Sequence, residues 1–342
     1  WQIGLGDGGT LLFTALIIYA TIVWLTLASA PERGVIRWHI AAAVIGLPLG
    51  VAAGLLLALN KTTGFLEGHT LSLLATHATL MILCWITPLL FGVAYRLVGM
   101  FTLSEDRLWH GVAWTELGFT LSGSWVLAAS FLLYHSRPVF ITASALVLIG
   151  QALFFVQLAH MYHARRRRQI DVHIPFAMTA AGSGVLAGLA LFIGFVRGDG
   201  AASELWVVAV WLAIAGMMIT AIQGFFYKIA TFLVWLNRYA PVAGRQRVPR
   251  LEELYNLRVA RVGWACWLTA LLISATGILV GVDLLVSAGG LLAAGGIGCF
   301  LSNVVRIARH WQSGPFDRVI GRVRRSRQAA VGERVGHVIA GE

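Results

Sequence analysis

The chain has 342 residues, 58% of them hydrophobic and only 12% charged, and its mean hydropathy is +0.79. Soluble domains average about 25% charged residues, so a water-soluble globular fold is excluded and a bilayer is the expected solvent. The net charge of +11 would suit a nucleic-acid partner, but the positions of the basic residues assign it to membrane topology instead.

Apolar runs long enough to cross a bilayer, about 20 residues, recur nine times. They lie near 10–29, 38–59, 66–98, 108–134, 138–162, 174–196, 203–236, 258–281 and 284–308. These runs are far longer than the alternating strands of a membrane barrel, about 10 residues. The expected fold is therefore all-α, a polytopic bundle of about nine transmembrane helices in one domain, 1–310, followed by a basic tail, 311–342. The first residue is Trp1 rather than methionine, which leaves room for a preceding segment, and no cleavable signal peptide is recognisable.

Lysine and arginine set the expected orientation. With the N-terminus outside, the inner loops and tail collect 22 basic residues, while Lys61, Arg137 and Arg197 make 3 at the outer side. That asymmetry predicts a cytoplasmic C-terminus and a multi-pass protein of the bacterial inner membrane. Lipid is then the partner of the basic surface, and nucleic acid is not expected. Gly- and Ala-rich stretches such as 180–188 and 289–298 predict close helix packing. Pro48 and Pro88 predict kinks within their spans. Cys84, Cys266 and Cys299 sit in apolar runs without any C-x-x-C pattern, so they read as small buried hydrophobes.

Ionisable residues inside a membrane are costly, which makes each a functional candidate. Glu116 and Lys228 are charged residues placed well inside spans, both in the inner third. They are expected either to pair or to belong to a proton path, with snorkelling as the bland reading of Lys228. Gln151, Gln157, Gln223 and Asn303 either extend a polar line or bond helix to helix. The chain holds ten histidines. His77 lies about eleven residues into the third span, too deep to snorkel. Each of its ring nitrogens needs a partner, either a metal or an interhelical hydrogen bond. His69 and His135 fall in the same outer half, and His69 also suits the lipid–water boundary. His110, His160 and His163 gather near the inner surface, as a possible haem or metal site or as interfacial residues.

The stretch Thr76-His77-Ala78-x-x-Met81-Ile82, followed by Pro88-x-x-x-Gly92-x-x-x-x-Leu97-Val98, resembles the second helix of the catalytic subunit of haem-copper oxidases and nitric oxide reductases. The preceding Arg37-Trp38-His39-Ile40 and its apolar run look like that family's first helix. Gln223-Gly224-x-x-Tyr227-Lys228-Ile229-x-x-Phe232-Leu233-Val234-Trp235 is similar to a motif of short oxidase-like membrane proteins. The resemblance covers roughly residues 36–100 and 220–255. It implies that His77 is an axial ligand of a b-type haem, with His69 or His135 as candidates for a second contact, in a subunit of a respiratory complex or a homo-oligomer. The sequence departs from the family at the copper site. It has no His-His pair, no histidine in the seventh or eighth span, and only His310 at the inner end of the ninth. No copper centre is expected, and the implied role is electron transfer or gas binding rather than oxygen reduction. Two other readings stand beside it: a cofactor-free anchoring subunit, and a proton or small-solute transporter using Glu116 and Lys228.

Overall fold

The computed structural model describes residues 2–167, 171–198 and 202–312. Arg168 and the segment from 313 onward, with most of the expected basic tail and His337, lie outside the described residues. Among those described there are helices and no strands. Among the described residues nine helices are long and apolar enough to cross a membrane: α1 Gly6–Ser29, α2 Val35–Lys61, α3 Thr70–Thr102, α4 His110–Tyr134, α5 Arg137–His163, α6 His173–Arg197, α7 Ser203–Arg238, α8 Leu257–Val280 and α9 Asp283–Trp311.

The bounds follow local chemistry. The third span begins four residues later than the apolar run suggests. Gly64 and Gly68 adopt positive φ there, 69° and 76°, and Asn60 Oδ1 accepts from the Leu66 amide at 2.6 Å. That turn uses up the segment between α2 and α3. Leu103 ends α3 and His135 ends α4 in the left-handed region.

Pro88 does more than bend α3. A proline removes one ladder donor and clashes with the carbonyl four residues earlier, here that of Cys84. The helix answers with a π-helical stretch over Leu80–Ile86, and the Thr87 hydroxyl donates to the Ile82 carbonyl at 2.8 Å. The Cys84 carbonyl lies against Gly46 of α2, where a Cβ would sit 2.5 Å from that oxygen. Two further π-helical stretches occupy Ser130–Tyr134 in α4 and Leu212–Ile219 in α7. In α7 the Thr220 hydroxyl donates to the Ala215 carbonyl at 2.9 Å. It also accepts from Trp267 Nε1 of α8 at 2.8 Å. α2, by contrast, runs unbroken through Pro48.

Consecutive helices pack as neighbours, and α2 to α7 share one core. Phe91 of α3 stacks on Phe154 of α5 with ring centroids 3.6 Å apart. Tyr95, Leu117, Leu158, Ile174, Met217 and Phe225 close around them. α1 and α9 bury little of their surface. The starts of α2, α4, α6 and α8 and the ends of α3, α5, α7 and α9 form one end of the bundle. That end carries Arg37, Arg96, Arg107, Arg165–Arg167, Arg238, Arg258 and Arg309, while Lys61, Arg137 and Arg197 lie at the other.

Overpacking a tight core contact costs about 1–3 kcal/mol. Gly46→Ala should therefore lower the thermal midpoint in detergent, whereas Gly290→Ala, where a Cβ meets nothing within 4 Å, should leave it unchanged.

Candidate functional site

His77 sits in the first half of α3, half-buried against α2. Its Nδ1 lies 2.8 Å from the Gly50 carbonyl, and a carbonyl can only accept, so Nδ1 carries the proton. The ring rests on Gly54, where a Cβ would stand 2.8 Å from Cε1. Nε2 makes no hydrogen bond among the described residues. A metal-ligating histidine shows this same arrangement, one nitrogen donating to a carbonyl and the other bare. No hydrogen bond or ring contact among the described residues joins His77 to a second imidazole. His69 and His135 are exposed at the end of the bundle, and His135 Nε2 bonds the Ser72 hydroxyl at 3.1 Å. For the haem expected here, the described residues thus offer one imidazole nitrogen, Nε2 of His77.

The other histidine group lies near the basic end of the bundle. His110 and His163 are exposed, and His160 is half-buried. The His160 ring stacks on Trp109 at 3.7 Å. Among the described residues no cluster of three or more His, Cys, Asp and Glu side chains is placed to hold a metal ion.

Glu116 and Lys228 do not pair with each other. Glu116 is fully buried in α4, and its partners come from three helices. His39 Nε2 of α2 lies 2.8 Å from Oε2, the Tyr95 hydroxyl of α3 donates to the same oxygen at 3.0 Å, and the Thr120 hydroxyl donates to Oε1 at 2.8 Å. Gly92 lets α2 come this close, because a Cβ there would stand 2.7 Å from that of His39. The other His39 nitrogen, Nδ1, lies 2.9 Å from the Val35 carbonyl.

These contacts count the protons. Nδ1 of His39 must be protonated, because its partner is a carbonyl. The Nε2···Oε2 contact then needs one further proton, on the imidazole or on the carboxyl. With the proton on His39 the pair is an imidazolium and a carboxylate; with it on Glu116 both are neutral. Either way the pair carries no net charge, which is what a dry site demands. Moving that proton along 2.8 Å turns an ion pair into a neutral pair without changing the total charge.

Lys228 belongs to a second network at the same end of the bundle. Its Nζ donates to Asp171 Oδ2 at 2.5 Å, and Arg167 reaches both Asp171 and Glu252, each at 3.2 Å. The ammonium also lies 4.6 Å from the Phe101 ring centroid. Burial and the nearby Asp171 and Glu252 carboxylates push the Tyr255 phenol well above its ordinary range, so it stays neutral beside the pair. His173 is buried beneath them, and neither of its ring nitrogens has a hydrogen-bond partner among the described residues. It borders two voids of about 10 Å³ each, each close to the space one water needs. No hydrogen bond among the described residues joins this network to the His39–Glu116 pair.

The amides divide. Asn303 is structural: its Oδ1 accepts from the Asn256 amide at 2.8 Å and its Nδ2 donates to the Asn256 carbonyl at 3.1 Å, tying α9 to the start of α8. Gln157 Oε1 accepts from the Trp109 amide at 3.2 Å. Gln151 and Gln223 make no hydrogen bond among the described residues.

Removing one member of a buried pair leaves the other charge uncompensated, at about 3–5 kcal/mol. Asp171→Ala, which strands Lys228, should therefore lower the thermal midpoint more than Lys228→Met, which leaves Arg167 on Asp171. Comparison with protein-family models, characterised proteins and solved structures finds no match to this chain.

Proposed function

We propose that this chain is a multi-pass membrane protein that takes up, holds and passes protons, with His39 and Glu116 as the storage site. The observation that carries this is the pairing of a fully buried carboxylate with a histidine whose other nitrogen is pinned to a carbonyl. The shared proton moves between two heavy atoms at no cost in net charge, and Tyr95 and Thr120 stand ready to stabilise the carboxylate. Val35, whose carbonyl holds the ring, lies in the first turn of α2, about 6 Å along the axis from His39. That spacing places the pair close to the basic end of the bundle. The excess of arginine at that end supports placing it in the cytoplasm, with the N-terminus outside.

The test is proton flux in proteoliposomes holding an internal pH dye, driven by a potassium diffusion potential. Wild-type protein should conduct above empty vesicles. Glu116→Gln, which keeps an acceptor but holds no transferable proton, should slow the flux by about a hundredfold, the low end of what a positioned proton-transfer group supplies. Equal rates, or no flux above empty vesicles, would refute the reading.

A second reading has one geometric observation in its favour, the proton-fixing bond from His77 to Gly50, together with the oxidase-like motif around it. On this reading the chain is an electron-transfer or gas-binding subunit of a respiratory complex, with a b-type haem on His77 Nε2. Such a haem would supply one-electron exchange or gas binding at iron. Purified protein would then give a pyridine haemochrome spectrum that His77→Ala removes, and a spectrum unchanged by that substitution would count against it.

A further inference from the structure

The half of the bundle away from the basic end contains an apolar cavity of about 320 Å³ between α3, α4, α5, α6 and α7. It is lined by small and hydrocarbon side chains such as Ala78, Ala187, Ala213 and Phe131. Its volume falls at the lower end of small-molecule sites, about 300–1,000 Å³. A dry apolar cavity of about 150 Å³ accepts benzene, so this one has room for a molecule of about two rings. His77 lies on the opposite side of α3 from Ala75, Ala78, Thr79 and Ile82, so the cavity is separate from both sites described above.

Two independent features mark it as a binding site. Gln151 lines the wall and is only 2% exposed. Its carboxamide makes no hydrogen bond among the described residues, and its Oε1 is sealed from solvent. A buried amide without a partner is costly, and a ligand group would relieve that cost. Gly184 leaves the space for it, because a Cβ there would stand 2.5 Å from Gln151 Oε1. The second feature is backbone geometry. Each of the three π-helical stretches contributes to the lining: Ile82 and Leu83 from the first, Phe131 from the second, Ala213 and Met217 from the third. Interrupted helical ladders of this kind gather at functional sites. The rim on α7 includes Val210 and Trp206, 50% and 45% exposed on the outer face of the bundle, so a ligand dissolved in lipid reaches the cavity sideways.

We infer that the cavity binds a neutral, mainly hydrocarbon molecule of about two rings that carries one hydrogen-bonding oxygen, held by the Gln151 carboxamide. The amide offers its N–H₂ or, turned over, its oxygen, so a hydroxyl satisfies it in either sense.

The probes are 1-naphthol and naphthalene, equilibrated by dialysis against the full chain in nanodiscs, with empty nanodiscs as the partition control. Saturable binding near one per chain is expected, tighter for the naphthol. Gln151→Leu should weaken naphthol by about tenfold, the worth of one buried hydrogen bond, and leave naphthalene unchanged. Ala213→Phe and Ala78→Phe fill the cavity from two different helices and should each abolish both. Elution volume and thermal midpoint identify any variant that fails to fold, and the remaining variants then decide. Absence of a saturable component, equal loss of both probes in Gln151→Leu, or full binding in a folded filling variant would each overturn the inference.

Discussion

A charge inside a bundle of apolar helices must find its partner inside the same bundle, because no water is there to solvate it. Glu116 shows how far this constraint reaches. Its carboxyl draws in His39, Tyr95 and Thr120 and so fixes the approach of α2 and α3 to α4. Gly92 has to lack a side chain for the histidine to arrive. The aromatic layer of Phe91 and Phe154 packs over the result. Lys228 meets the same demand separately, with Asp171, Arg167 and the Phe101 ring. Each network closes on itself, and apolar side chains such as Val98, Leu158 and Ile174 fill the core around Tyr95.

The backbone obeys a parallel rule. Each ladder bond lost inside a membrane has to be replaced locally. At Ile82 the π-type bond from the Thr87 amide does this, with the Thr87 hydroxyl as a second donor, and at Ala215 the Thr220 hydroxyl donates to the carbonyl. With those carbonyls satisfied, the interrupted segments persist without water, and their side chains surround a cavity that regular helices carrying larger residues would have closed. Small residues thus do two different things here. At Gly46 the missing Cβ lets two backbones touch, whereas at Gly184 it makes room for an amide.

Much of the helix plan is legible in hydropathy alone, because the length of an apolar run is itself the physical signal. The bounds move by a few residues where turn chemistry intervenes, as at Gly64 and Gly68. The pairing of buried charges is a different matter. Glu116 and Lys228 sit at similar depth, which suggested a pair, but depth says nothing about which helix faces which. His39 follows Trp38, an exposed aromatic at a span end, and so reads as interfacial. A rotation of about 100° per residue turns it fully inward instead. Asp171 lies just outside the apolar run of its span and after a run of arginines, so nothing local marks it as the partner of Lys228. The cavity is illegible for the same reason: alanine and glycine signal tight packing and open space with the same letters.

The central claim is the proton count at the His39–Glu116 pair. Nitrogen-15 NMR of His39 in lipid bilayers reads it directly, using protein labelled on histidine and compared with His39→Gln to assign the signal. The geometry predicts a protonated Nδ1 at neutral pH, with Nε2 strongly hydrogen-bonded. A His39 signal with a bare Nδ1 and a proton on Nε2 alone would contradict it.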